Sequence, residues 1–285
     1  MRYLKYSVFL VLLLLCIAPS IITAQDEDDE LCPQLVSQAI ESANEICSEI
    51  GRNQACYGNF MIEATPREGI ESFTFADGGD VVDISDIQSM TLAGMDITNE
   101  EWGVAIMRIQ ANIPDTLPGQ NVTFVLFGDV EIEDASAQSD GEFGPMQAFY
   151  LRTGVGDSAC AEAPNSGILV QTPEGVAEIA LNVNGVDIAL GSTAFLQAQA
   201  PEEDTVGELR VSLLEGGSTV SANEGSQSLI PGEWLIVEYN EEFVPVSEPG
   251  EPMPEPLENI MSLPITLLER EIELPTIGDM GTSSG

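Results

Sequence analysis

Short runs of strand-forming residues, separated by turns rich in glycine and proline, occupy the chain from residue 60 to residue 239. These runs are rich in Val, Ile, Phe, Thr and Tyr, the residue types that favour β-strands. No helical periodicity lies between successive runs, so repeated strand–helix–strand units are excluded and sandwiches or barrels are favoured. We therefore predict a mainly β fold.

The predicted strands form two series, on either side of a small and polar stretch at 154–165. The first series is 61–65, 72–75, 81–84, 88–92, 103–111, 122–127, 130–133 and 147–152. The second series is 168–172, 176–183, 186–190, 194–198, 209–214, 218–222, 226–230 and 234–239. Asn184-Gly185 predicts a two-residue hairpin, because both residues tolerate positive φ. We predict two β-sandwich or barrel-like domains, an N-terminal one at 60–157 and a second at 158–244.

One short amphipathic helix is predicted ahead of the strands, at 33–50. Pro33 suits a first helical position, apolar residues recur at helical spacing, and Gly51 is placed to end the helix. The charged run QDEDDE at 25–30 predicts a solvated tail. The segment 25–59 is thus an acidic tail and a cysteine-bearing helix, which we expect to dock on its own domain.

The C-terminal part is dominated at first by proline and glutamate (SEPGEPMPEPLE), a composition that does not favour packing. We predict a linker and tail at 245–285. Hydrophobicity returns at 260–277 and could place one strand or turn on the body.

The N-terminus has the three parts of a secretion signal. Arg2 and Lys5 form a basic start, 8–18 is an apolar run, and Ala24 is a small residue at a plausible cleavage site. We predict a signal peptide at 1–24 and an extracytoplasmic protein. Two alternatives stay open: an uncleaved membrane anchor at 8–24, and lipidation at Cys16. Membrane contact is expected only through this segment, if it is uncleaved.

Four cysteines remain after cleavage: Cys32, Cys47, Cys56 and Cys160. An even number in an exported chain predicts two disulfides. Cys32 and Cys47 lie about 22 Å apart along a helix that rises 1.5 Å per residue, too far to bridge. Two pairings stay open: Cys32–Cys160 with Cys47–Cys56, or Cys32–Cys56 with Cys47–Cys160. A zinc site is disfavoured because histidine and the C-x-x-C motif are absent.

The charge of the chain is strongly unbalanced, with 48 acidic residues, 8 basic residues, no histidine and a formal net charge of −40. Lys5 is the only lysine, so the predicted mature chain holds six arginines and no lysine. Mechanisms that need a histidine base, a P-loop lysine or a Schiff base are excluded. Nucleic acid is excluded as a partner, because phosphate binding needs clustered Lys or Arg. We expect no cofactor and no enzymatic activity.

Few residues stand out as candidate ligand-binding groups. Four aspartates recur every three residues: Asp77, Asp80, Asp83 and Asp86. In an extended chain this spacing alternates faces, so we expect them to be solvated rather than to bind calcium. Trp102 and Trp234 lie in apolar strand runs, which favours core packing over a platform that stacks on carbohydrate.

The stretch 167–239 resembles a FecR-type β domain. The resemblance rests on 169–175 (LVQTPEG), 186–194 (VDIALGSTA), 209–216 (LRVSLLEG) and 229–234 (LIPGEW). It implies a non-catalytic domain outside the cytoplasmic membrane that takes part in signal perception or in cell-surface assemblies. The family's signalling members carry a cytoplasmic regulatory segment ahead of a membrane span, and here only seven residues precede the apolar run. Residues 32–157 resemble no family that we can name.

These observations predict an exported, non-enzymatic binding, sensing or structural module of the bacterial cell envelope or exterior. Its partner would be an extracellular ligand or an envelope protein. A carboxylate-dependent hydrolase of an extracellular polymer is one alternative, and it requires two acids about 5–10 Å apart across a cleft. A calcium-dependent surface or adhesion protein is another, and calcium would raise its melting temperature.

Overall fold

The computed structural model of the chain describes residues 26–110, 121–139, 141–154, 163–173, 175, 178–202 and 205–275. The predicted signal peptide at 1–24, Cys16 and Cys160 lie outside the described residues. The expectations about cleavage, anchoring and lipidation therefore stay predictions. Among the described residues, no helix is both long enough and apolar enough to cross a membrane.

The helix predicted near the N-terminus is confirmed, but its bounds differ. Helix α1 (Asp26–Cys47) begins in the acidic run that we expected to be a solvated tail, and Pro33 lies inside it. Carboxylates are favourable at a helix N-terminus because they interact with the unpaired N–H groups of the first turn, which favours the longer helix. One face of α1 is buried through Val36, Ala39 and Ala43, so the helix docks on its own body.

The described residues also contain seventeen strands, and the prediction of a mainly β fold is confirmed. They are β1 (Gln54–Asn59), β2 (Ile62–Pro66), β3 (Val81–Asp83), β4 (Ile87–Leu92), β5 (Val104–Gln110), β6 (Asn121–Phe127), β7 (Val130–Asp134), β8 (Ala148–Thr153), β9 (Gly167–Gln171), β10 (Ile179–Val183), β11 (Val186–Leu190), β12 (Thr193–Gln199), β13 (Gly207–Glu215), β14 (Ser218–Ala222), β15 (Gly225–Leu229), β16 (Glu233–Tyr239) and β17 (Met253–Pro254). Each predicted strand except 72–75 overlaps an observed one, whereas β1 and β17 were not predicted.

The strands form two sheets. The first sheet has the order β17-β16-β13-β12-β9-β6-β5-β1-β3, and the second has the order β15-β14-β11-β10-β8-β7-β4-β2. Strands from both predicted series pair with each other in both sheets, through β6 with β9 and β8 with β10. The boundary predicted at 157/158 falls within 155–162, outside the described residues, and stays a prediction.

The predicted hairpin at Asn184-Gly185 is confirmed, and it also links the two strand series. Both residues have positive φ, 51° and 74°, and β10 pairs with β11 directly across them. The buried Asn184 side chain accepts the Leu151 N–H at 2.7 Å and donates to the Leu151 carbonyl at 2.9 Å. The Asn184 side chain therefore bonds the Leu151 backbone as a neighbouring strand would, and it extends the parallel pairing between β8 and β10.

The two sheets face each other across one apolar core that draws residues from both series. Alternate residues of the longer strands point into it, including Phe124, Leu151, Leu196 and Val211, all at most 2% exposed. Each such side chain contributes about 1.5–3 kcal/mol when it leaves water. The alternation of apolar and polar residues that predicts the strands therefore also identifies the residues of the core.

The outer face of the first sheet is covered by the two ends of the described chain. Helix α1 and the segment 257–274 pack on outward-facing residues of β1, β5, β6 and β9, and together they form a second apolar cluster. Trp102 is 1% exposed within this cluster, and its ring lies edge-on to Phe127. The predicted core role of Trp102 is confirmed.

The proline- and glutamate-rich segment packs on the body, contrary to the expectation from its composition. The Val246 and Gly250 N–H groups donate to carbonyls of β16 at 2.8 and 2.9 Å, and β17 then pairs with the start of β16. Ile260 and Leu267 are buried further on. An extended, proline-rich chain needs no core of its own when a neighbouring strand edge supplies its hydrogen bonds.

Candidate functional site

The cysteines in the described residues are structural. Cys47 and Cys56 form a disulfide with a Cα–Cα distance of 5.8 Å, which ties the end of α1 to β1. This bond excludes the pairing of Cys32–Cys56 with Cys47–Cys160, and the pairing of Cys32 with Cys160 stays a prediction. Cys32 is also disulfide-bonded, fully buried, and 3.4 Å from the Met95 sulfur. Cys160 lies outside the described residues.

Most arginines of the described chain contact fixed neighbours within the fold, whereas Arg52 is exposed and donates to the Gln110 side chain at 3.4 Å. Arg108 donates to the Ile50 carbonyl at 2.7 Å, just beyond the end of α1. Arg67 pairs with the buried Asp134 at 2.8 Å, and Arg152 lies over the Phe243 ring. Such arginines are held by fixed neighbours and do not form the cationic cluster that an anionic ligand would require.

Two further arginines fasten the C-terminal segment to the first sheet. Arg270 donates two hydrogen bonds to Glu215, and its backbone makes two more with the Gln171 side chain. Arg210 pairs with Glu255 at 2.7 Å, and its guanidinium lies 3.6 Å from the centre of the Trp234 ring. Trp234 is thus half-buried beneath Arg210 and is not packed in the core, contrary to the prediction. The Arg210 guanidinium covers one face of the Trp234 ring.

The four regularly spaced aspartates do not form a ligand set in the described part of the chain, where no three metal-binding side chains come together. Asp80 instead accepts the Ala76 and Asp77 N–H groups at 2.9 and 3.0 Å, and these bonds lower its pKa. Asp96 closes the next loop similarly, and bonds from Asn99 lower the pKa of its carboxyl. Both carboxylates stabilise turns, and neither has the raised pKa of a general acid.

The largest cavity that we describe lies at one end of the double sheet and has a volume of about 320 Å³. We call it the amide cleft. It is lined by Asn53, Asp83, Ile84, Ser85, Ile109, Gln110, Gly144, Pro145 and Gln147. Its volume lies at the lower end of the range for small-molecule sites, about 300–1,000 Å³. Two isoleucines supply an apolar surface, and the amide, hydroxyl and carboxylate groups supply donors and acceptors.

Local hydrogen bonds fix the shape of the amide cleft. The Asn53 side chain accepts the Gln110 N–H at 2.8 Å, and the buried Gln147 amide donates to the Gln110 carbonyl at 3.2 Å. Asn53 has a φ of 57°, a left-handed conformation that asparagine tolerates. The end of β5 is therefore held from both sides, and Asp83 and Ser85 remain exposed at the cleft.

A smaller cavity of about 220 Å³ lies by the outer face of β12, β13 and β16. It is lined by Thr153, Gly154, Asn165, Gln197, Gln199, Glu208, Arg210 and Ile236. Several of its polar groups are already used: Thr153 exchanges hydrogen bonds with the Ala198 backbone, and Gln197 donates to the Ser166 carbonyl. We therefore take the amide cleft as the stronger candidate site.

Among the lining residues of the amide cleft, only Asp83 belongs to the candidate ligand-binding residues of the sequence. The others are amides and small residues brought together from four separate segments of the chain. No motif marks them. Asn53 offered the one local signal, because it follows Gly51 in the turn between α1 and β1.

Comparisons with known proteins find a structural similarity over part of the chain. No family model matches the chain, and no curated protein matches it. Two crystal structures of a candidate anti-sigma factor from Parabacteroides distasonis are similar to 53% of the chain, with 17% and 18% identity and TM-scores of 0.31 and 0.30. The matches span 56% and 60% of those chains. At such TM-scores the likeness carries no argument about family or function.

Proposed function

We propose that the chain is an exported, non-enzymatic binding module of the cell envelope or exterior, and that its amide cleft binds a neutral, hydroxyl-bearing ligand. The observation that carries the proposal is the lining of the cleft: amides and a hydroxyl, one carboxylate, and no cation. Amides and a carboxylate can donate to and accept from hydroxyl groups. A phosphate or carboxylate ligand would find no cation among the described lining residues. Arg52 lies beside the cleft, where its guanidinium donates to the Gln110 side chain at 3.4 Å.

Several further observations support a binding role over catalysis. A hydrolase of the carboxylate type needs two acids that face each other across a cleft, and each of the two cavities is lined by a single one, Asp83 or Glu208. The Cys47–Cys56 disulfide supports export, because disulfides persist in oxidising compartments. The FecR-like stretch at 167–239 supports a sensing role outside the membrane.

The test is a thermal-shift screen of the exported protein against neutral oligosaccharides and polyols, with acidic sugars as a contrasting set. A ligand at 100 times its Kd should raise stability by about 2.7 kcal/mol. Ser85→Trp fills the amide cleft and should abolish the shift. Ser72→Trp, an exposed serine outside the lining, is the matched control and should retain it.

Three results would overturn the proposal. The first is a preference for acidic over neutral ligands, and the second is an equal shift in both tryptophan variants. The third is turnover of any polymer on a hydrolase panel that Asp83→Asn or Glu208→Gln abolishes.

A further inference from the structure

The two sheets have four lateral edges, and three of them are protected against pairing with another chain. Exposed edges are usually blunted by short strands, charges, prolines or covering segments. β3 has only three residues and ends in Asp83, and β2 carries Glu63 and ends in Pro66. The edge of β16 is covered by the proline-rich segment and β17.

The fourth edge, β15, carries no charge and no proline, and no strand of the described residues pairs with its outer side. Its sequence is Gly-Ser-Gln-Ser-Leu, without charge or proline, in a chain whose net charge is −40. It pairs with β14 over its full length, and it is the last strand of the second sheet in the described part of the chain. Ser226 and Ser228 are exposed.

The register of the hairpin shows which backbone groups face outward. Asn223 and Glu224 both have positive φ, 48° and 67°, as in a tight two-residue hairpin turn. Ala222 and Gly225 flank this turn and form the hydrogen-bonded pair that closes it. Because hydrogen-bonded and non-hydrogen-bonded pairs alternate along an antiparallel ladder, the N–H and C=O groups of Ser226 and Ser228 point away from β14.

Carboxylates stand at both ends of this uncharged edge. Glu224 precedes Gly225 in the turn, and the Glu248 side chain lies against Gly225. At the other end, Glu233 accepts the Ile230 N–H at 3.2 Å. A segment that is uncharged in its middle and cationic at its two ends would match this pattern of charge.

We propose that β15 is a docking edge to which another protein adds an extended strand, uncharged at its centre and carrying Lys or Arg at each end. The outward groups of Ser226 and Ser228 bond the centre of the added strand, as in other cases of strand addition. The flanking carboxylates attract its ends and set its register. A second copy of this chain is a poorer occupant, because two strongly acidic bodies repel each other.

The test uses the exported protein and the fluorescent peptide Lys-Thr-Val-Thr-Val-Lys, with binding followed by fluorescence anisotropy. Its counterpart Glu-Thr-Val-Thr-Val-Glu should bind at least about tenfold more weakly, because it places carboxylates against carboxylates. Ser228→Pro removes an outward N–H that β14 does not use, and should weaken binding of the lysine peptide by about tenfold or more. Ser228→Ala keeps this N–H and should bind within about twofold of the parent.

Thermal unfolding of both variants separates lost binding from lost folding, since Ser228→Pro should melt close to Ser228→Ala. Equal binding of the two peptides, equal binding to the two variants, or no binding of the lysine peptide would overturn the proposal. A stable homodimer that Ser228→Pro dissolves would overturn it in favour of a second copy. The amide cleft is not involved, so failure here leaves the proposed function intact.

Discussion

Glu255→Gln is expected to loosen the C-terminal segment, because Glu255 is a buried carboxylate in a segment whose composition argues against burial. Glu255 is 2% exposed, and its Oε1 accepts bonds from Arg210 at 2.7 Å and Asn259 at 3.1 Å. Replacing the carboxylate by an amide of the same shape removes its charge. The Arg210 guanidinium then stays on Trp234 without a counter-charge.

The size of the loss follows from the exposure of the two partners. Breaking a fully buried pair costs about 3–5 kcal/mol, and a surface pair contributes about 0–1 kcal/mol. The Arg210 side chain is 21% exposed and that of Glu255 is 1% exposed, so we expect an intermediate loss of about 2–3 kcal/mol. For a chain of this size, the melting temperature would fall by about 4–12 °C.

Thermal unfolding followed by circular dichroism at pH 7 provides the measurement, and hydrogen exchange of the 246–256 backbone locates the effect. The matched control is Glu131→Gln, which breaks a pair with Arg152 whose side chains are 39% and 46% exposed. We expect a loss below about 1 kcal/mol there. If Glu255→Gln lowers stability no more than Glu131→Gln does, the charge pair is not what holds the segment, and the reasoning is refuted.

Two other predictions concern contacts that hold the N-terminal helix and the C-terminal segment of the described chain on the first sheet. Hydrogen bonds from Arg270 lower the pKa of Glu215, and they outweigh an opposing desolvation effect with the help of a further bond from Ser192. The stability that this carboxylate contributes is therefore complete above its ordinary pKa of about 4.3. It is lost as pH falls through the lower pKa of the folded state. The stability difference between the parent and Glu215→Gln, measured from melting temperatures at pH 3 to 7, should thus be constant above about pH 5 and shrink below it, and a difference that does not change at acidic pH would contradict this. Replacing Cys47 and Cys56 together by Ser should lower the free energy of unfolding in urea by about 2–4 kcal/mol, and a loss below about 1 kcal/mol would show that this disulfide is not what holds the end of α1 on β1.

Much of the fold could be predicted because its signals are local. Alternation of apolar and polar residues depends only on neighbouring positions, and it located almost every strand. The hairpin at Asn184-Gly185 was likewise specified by two adjacent residues. The buried face of α1 could likewise be predicted, from the helical spacing of its apolar residues.

β1 could not be predicted, because its stability comes from distant partners. Its sequence Gln-Ala-Cys-Tyr-Gly-Asn lacks branched aliphatic residues, and it is held between β3 and β5. A Cβ atom at Gly58 would lie 2.7 Å from the Val104 carbonyl oxygen and 3.0 Å from the Ala43 side chain. The glycine that weakens the strand signal is therefore what allows β5 and α1 to approach so closely.

The segment after residue 245 was mispredicted for a related reason. Composition rules ask whether a segment can build its own core, whereas this one uses the edge of β16, the apolar outer face of the first sheet and the ion pairs of Arg210 and Arg270. Arg210 lies 45 residues from Glu255 in sequence, so no local window contains both. The amide cleft escaped prediction similarly, because its lining comes from separate segments without a motif.

The scarcity of cations explains why these distant contacts matter so much to this chain. With 48 acidic residues in the sequence, an arginine on the surface would find carboxylates in every direction and specify no particular contact. Arg108, Arg210 and Arg270 are instead partly buried, and they reach across 58, 45 and 55 residues of sequence. Burial excludes competing carboxylates and weakens screening by salt, so a few cations fasten both ends of the described chain. The surface that remains is acidic, which favours neutral or cationic partners over anionic ones.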